Sequence, residues 1–172
     1  MPLHLSDADY AVVEAACERL IPGAAAAGGA DYVDGLLGAF AVDPPRIWAV
    51  TPRGTDFHAL TAHDELAWRT RIEGSQGIPE REFNGPVVGL QEQYRDGLAA
   101  LGADFASLTP EQQDERLKAN PAFTTLLYHH TCEAVYGPPA YGGNRDLAGW
   151  RSIDFPGDVQ PVGYPDEEVA RP

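Results

Sequence analysis

Apolar residues recur along this chain at helical spacing and almost nowhere at the alternating spacing of strands. Val12, Val13, Ala16, Leu20 and Ile21 share one face of a helix that Ser6 can cap and Pro22-Gly23 can stop. Asp9, in the first turn, suits the positive helix end. After a small-residue link over 24–29, a second helix is predicted from about Ala30 to Phe40, with Tyr32, Val33, Leu36, Leu37 and Phe40 on one side. Asp43-Pro44-Pro45 breaks the pattern, and Arg46 to Gly54 reads as an irregular, packed loop around Trp48. A third helix is predicted over Thr61 to Glu73, with Leu66, Trp68 and Ile72 apolar, followed by a second loop from Gly74 to Gly85. Pro86 is placed to open a fourth helix carrying Val87, Leu90, Tyr94, Leu98 and Leu101, which Gly102 ends. Thr109 and Gln112 form a capping box for a fifth helix to about Lys118. Asn120, with Pro121 behind it, caps a sixth whose apolar face holds Phe123, Leu126, Leu127, His130, Thr131 and Val135.

Beyond Gly137 the periodicity stops. Gly and Pro become frequent, yet Tyr141, Trp150, Phe155 and Tyr164 are spaced through the segment. Polar composition alone suggests disorder, whereas regularly placed aromatics require a surface to pack on. The expectation is an all-α fold: a small helical domain of five or six helices over 1–136, and a long irregular C-terminal arm over 137–172. That arm is expected to pack on the body and on a partner subunit. A length of 172 residues suits one domain with a core of its own.

Charge narrows the partners. Twelve Lys and Arg against 26 Asp and Glu give a net charge of −14, which repels nucleic acid and anionic lipid alike. No apolar run approaches the ~20 residues of a membrane span, so no direct membrane insertion is expected. The opening MPLHLSDADY has no basic-then-apolar leader, so a cytoplasmic location is expected for the sequence as it stands. Cys17 and Cys132 fit no metal spacing; buried free thiols and a disulfide, within the chain or to a partner, both remain open.

Catalytic signatures are missing from the pattern. Gly142-Gly143 follow a helix, not a strand, and no dinucleotide fingerprint, Walker sequence, zinc-protease motif or calcium loop is present. His129 and His130 point about 100° apart on a helix, so they suit one metal poorly, and His130 lies on the apolar side as a core or interface histidine. Cys132 with either histidine is the one arrangement that could serve a stand-alone helical enzyme, but nothing nearby makes an electropositive, open pocket. The densest segment is Tyr141-Gly142-Gly143-Asn144-Arg145-Asp146, with Trp150 four residues on. Its glycines permit positive φ and Asn144 tolerates the left-handed region. Two readings are open: a turn whose Arg145-Asp146 pair ties the arm to the body, or a recognition loop for another protein.

From Phe123 to Gly157 the chain resembles the gluconate 2-dehydrogenase subunit 3 family. The carriers are His130-Thr131, Tyr136, Tyr141 to Asp146, Gly149-Trp150 and Phe155-Pro156-Gly157. The run Leu20-Ile21-Pro22-Gly23 and the run Ala27 to Val33 (AGGADYV) are similar to that family as well. The resemblance implies a non-catalytic small subunit without a cofactor of its own. Its implied partner is an FAD-binding large subunit of the glucose-methanol-choline type that oxidises a sugar or polyol, and a cytochrome c is implied as electron acceptor. It further implies a role in stabilising, maturing or exporting the flavoprotein, with a transient assembly chaperone as the alternative. Family members commonly carry a twin-arginine signal, which this sequence lacks; a periplasmic location would then depend on a removed signal or on the partner's. The expected partner interface is Tyr141, Gly142, Gly143, Asn144, Arg145, Asp146, Trp150 and Phe155.

Overall fold

Ser6 opens the first helix as its spacing predicts: its hydroxyl accepts from the Asp9 N–H at 3.1 Å and donates to the Asp9 carboxylate at 2.7 Å. The computed structural model describes residues 2–156. Among these residues are seven α-helices: α1 Asp7–Leu20, α2 Gly29–Leu37, α3 Ala62–Glu73, α4 Leu90–Leu101, α5 Pro110–Ala119, α6 Pro121–Tyr136 and α7 Ala148–Ser152. Among the described residues there is no strand beyond one antiparallel bridge between Ala49 and Phe57. The seventh helix is one short turn inside the segment expected to be irregular. Residues 157–172 of the expected arm, Gly157 and Tyr164 among them, lie outside the described residues.

The core forms where α1, α2, α4 and α6 meet. Val13, Cys17, Val33, Leu37, Tyr94, Leu101 and Leu127 are all fully enclosed there. Tyr94 meets Phe123 edge to face, with ring centroids 5.3 Å apart. That crossing requires Gly97, because a Cβ on α4 at this point would run into the Phe123 ring. The capping box at Thr109 forms as predicted. Asn120 stands at the start of α6, but its amide donates to the Arg116 carbonyl at 2.9 Å and caps nothing on α6.

Helix α4 starts later than predicted, at Leu90 and not at Pro86. Ser75 explains the difference. Its N–H donates to the Val87 carbonyl at 3.0 Å, and its hydroxyl accepts from the Val87 N–H at 2.8 Å. This two-way bond holds the segment before α4 extended against the end of α3, and Val87 and Val88 stay exposed. Gly89 can then sit on Gly74, where any Cβ would meet backbone.

A second feature escapes periodicity. Asp34 sits on the inner side of α2 and is buried. Its carboxylate accepts the N–H groups of Leu3, His4 and Leu5 at 2.6, 2.9 and 2.8 Å. These partners lie about thirty residues away in sequence, so no local pattern announces them. The carboxylate fastens the N-terminal segment over α2, where Leu5 packs on the core. Asp34→Ala is expected to lower stability by about 2–4 kcal/mol, since bonds to a charged acceptor are the stronger kind. Urea denaturation monitored by circular dichroism measures the loss.

Candidate partner-binding surface and the Tyr141–Trp150 loop

The two motif-rich stretches of the sequence touch each other. The Arg145 N–H donates to the Ala27 carbonyl at 3.1 Å, and the Arg145 guanidinium pairs with the Asp31 carboxylate on α2. Gly28, at φ +87°, allows this approach: a Cβ there would lie 2.6 Å from the Gly142 carbonyl oxygen. Arg145 therefore ties the loop to α2 through Asp31, and not through its neighbour Asp146.

Asn144 is the pivot of the loop. It takes the left-handed conformation, φ 45°, and is fully buried. Its N–H donates to the Ala134 carbonyl at 2.7 Å, its side-chain amide donates to the Gly137 carbonyl at 3.0 Å, and its side-chain oxygen accepts the Gly149 N–H at 3.0 Å. One side chain thus satisfies a carbonyl at the end of α6 and an amide of α7. Gly143 and Gly149 lie so close to α6 that a Cβ on either would strike the carbonyl of Ala134 or Val135. Asp146 and Leu147 also have positive φ, each at an expected cost of about 1–2 kcal/mol that the surrounding bonds must hold in place.

Trp150 fills the space behind Asn144. It is buried, and its indole N–H donates to the Tyr136 carbonyl at 2.7 Å. Tyr141 reaches the other way: its hydroxyl donates to the Ile47 carbonyl at 3.1 Å and accepts the Ala49 N–H at 3.2 Å. Of the eight residues expected to meet a partner, Gly143, Asn144 and Trp150 thus face the chain's own helices. Tyr141 and Gly142 are half-buried, and Arg145, Asp146 and Phe155 are exposed.

Around Trp150 several apolar side chains are exposed, with the Arg53 guanidinium over the Trp150 ring at 5.8 Å. Phe155 stands edge-on to the Trp150 ring, centroids 5.2 Å apart, and remains 45 % exposed, while Ile153 is 56 % exposed. Tyr136 is exposed beside them, and Tyr128 follows two turns earlier on α6, with the half-buried Cys132 between. Sequence reasoning did not single out Tyr128, Tyr136 or Ile153 as surface residues. The spacing of 128, 132 and 136 was the available signal.

Of the candidate chemical groups, the structure buries His130 and leaves Cys132 half-buried and His129 at the surface. His130 is buried, stacked on Tyr94 at a ring distance of 5.7 Å, with Nδ1 2.7 Å from the Tyr94 hydroxyl. Burial raises the Tyr94 phenol well above its ordinary range, so it keeps its proton and donates to Nδ1. Burial lowers the His130 pKa, with Arg71 and His129 acting the same way and Glu133 opposing. His129 is exposed. Cys17 is buried and pushed up to about 11 by burial, although the Thr131 hydroxyl donates to its sulfur at 3.3 Å. Cys17 and Cys132 are both free thiols. Among the described residues, no group of three or more His, Cys, Asp or Glu could hold a metal ion, and no helix is long and apolar enough to cross a membrane.

The family described as gluconate 2-dehydrogenase subunit 3 matches residues 7–157. No curated protein and no solved structure matches the chain.

Two outcomes are expected. Asn144→Ala leaves the Gly137 carbonyl and the Gly149 amide without partners and should cost about 2–4 kcal/mol, while Trp150→Ala should cost about 3–5 kcal/mol. Denaturation of the isolated chain measures both, and Asn144→Gly, which keeps the backbone conformation, should still lose most of the first. The second outcome concerns pH. Because the folded pKa of His130 lies below its unfolded value of 6.5, the unfolded chain binds more protons, so stability falls as pH drops below about 6.5. His130→Gln should flatten that part of the stability profile.

Proposed function

The chain belongs to the gluconate 2-dehydrogenase subunit 3 family, and we propose that it is the non-catalytic small subunit of a dehydrogenase complex, with FAD and substrate held by a larger glucose-methanol-choline-type subunit. The observation that carries this reading is the family match, which runs from the first helix to the end of the described chain. A cytochrome c as electron acceptor follows from the sequence resemblance and belongs to the same proposal.

Internal chemistry supports an accessory role. Of the groups considered for catalysis, His130 spends its Nδ1 on Tyr94 inside the core, while His129 is exposed and Cys132 half-buried, apart from that bond. The outward side chains that would matter are apolar: Tyr128, Tyr136, Ile153 and Phe155 lie along α6 and around α7. Aromatic and aliphatic groups gathered in this way cost little to order and gain most when a partner covers them. Covering the same kind of surface on an unfolded or flavin-free large subunit would account for a maturation role.

Expression of the flavoprotein with and without this chain tests the proposal. With it, soluble flavin-loaded complex should accumulate; equal yield and equal flavin content without it would count against an accessory role. Ile153→Asp and Phe155→Asp should weaken the complex more than tenfold, about 1.4 kcal/mol or more each, while leaving the melting temperature of the isolated chain nearly unchanged.

A further inference from the structure

A cavity of about 160 Å³ opens beside Tyr141, away from Trp150. Four rings wall it: Tyr32 from α2, Trp68 from α3, Trp48 from the loop between them, and Tyr141 from the C-terminal segment. Leu36 and Ile47 complete the apolar lining. Engineered apolar cavities of about 150 Å³ take up benzene, so one phenyl or leucyl side chain fits here.

The polar tips of the wall are already used. The Tyr141 hydroxyl is bonded to Ile47 and Ala49, and the Tyr32 hydroxyl donates to Glu133 at 2.6 Å. Burial first, and the Glu133 bond second, raise the Tyr32 phenol far from ionisation. The rings therefore present faces and edges. Trp48, edge to face with Trp68 at 5.7 Å, is 45 % exposed at the mouth.

One charge borders this apolar space. Arg46 is half-buried, and Gly35, having no side chain, leaves its guanidinium bare: a Cβ at Gly35 would meet Arg46 Nη1 at 3.4 Å. Among the described residues, Arg46, Arg53, Arg71 and Arg151 are the arginines outside the ion pairs, and of these four Arg46 alone is half-buried, with no hydrogen bond from its guanidinium. It lies over the Phe57 ring, 5.8 Å from the centroid. Asp43 and Asp56 in one neighbouring cleft, and Asp7, Asp31 and Asp34 in another, share walls with Arg46 but do not pair with it. In a chain of net charge −14, a half-buried guanidinium whose donors meet no acceptor among the described residues is a site prepared for one.

We propose that this cavity receives one bulky apolar side chain with a carboxylate beside it, presented by the partner subunit, the apolar group entering between Trp48, Trp68 and Tyr141 and the carboxylate pairing with Arg46. The identity of the donor as the partner subunit rests on the accessory-subunit reading; the chemistry of the cavity does not.

The full chain is titrated with 3-phenylpropanoate and with its neutral amide, followed by the indole NMR signals of Trp48 and Trp68, with Trp150 as the internal control. Both probes should shift the first two signals saturably and leave the third in place. The carboxylate should bind about tenfold more tightly than the amide, the difference between a charge-assisted and a neutral hydrogen bond. Arg46→Gln should erase that preference and keep the apolar binding. Gly35→Leu, on a helical backbone that accepts a side chain, should fill the cavity and abolish both. No saturable shift, or equal binding of the two probes, overturns the proposal. In co-expression with the flavoprotein, Gly35→Leu should lower the yield of complex at unchanged melting temperature; an unchanged yield would show that the partner does not occupy the cavity. Failure of the wild-type chain to co-purify with the flavoprotein would overturn the accessory reading, and the occupant with it, whatever the titration shows.

Discussion

The contact between the Ala27–Tyr32 turn and the Tyr141–Asp146 loop is the constraint on which the rest depends. Asn144 holds the loop to the end of α6, Gly28 lets the Gly142 carbonyl come close, and Arg145 closes the joint on Asp31. With the loop in that position, Trp150 is delivered to the Tyr136 carbonyl and Tyr141 to the 47–49 loop. The exposed side chains around α7 and the aromatic cavity beside α2 are then both built on this one joint. A residue with a Cβ at Gly143 or Gly149 would lift the whole segment off α6.

Much of this was legible in the sequence because it rests on local rules. Ser6, Thr109 and Gln112 cap as their spacing says. Asn144 does occupy the left-handed region, and His130 does lie in the core on the apolar side of α6. The features that escaped reading join distant segments. Asp34 is an acid on a buried face whose partners are at the N-terminus, and Arg145 finds Asp31 where its neighbour Asp146 was the obvious candidate. Pro86 is a good first residue for a helix, but Ser75 claims Val87 and postpones α4 to Leu90. In each case a single polar side chain from elsewhere in the chain outweighs a local preference worth about 1 kcal/mol.

The same division separates the buried from the outward parts of the family-typical segment. Gly143, Asn144 and Trp150 fix the chain's own shape, while Tyr128, Tyr136, Ile153 and Phe155 remain for contact with another surface. A rigid joint underneath lowers the entropy lost on binding, because the outward aromatics are already positioned when a partner arrives. An accessory subunit of a dehydrogenase complex needs this combination of an inert interior and a preset apolar face.

The central claim is that the Tyr141–Trp150 segment is locked to the body before any partner binds. Native-state hydrogen exchange of the isolated chain tests it most directly, because the Asn144 and Gly149 amides each have a named acceptor, the Ala134 carbonyl and the Asn144 side chain. The lock predicts that both amides exchange as slowly as those in the middle of α6, opening only with global unfolding. Exchange at the rate of an unstructured loop, with protection appearing only when the proposed partner subunit is added, would contradict it.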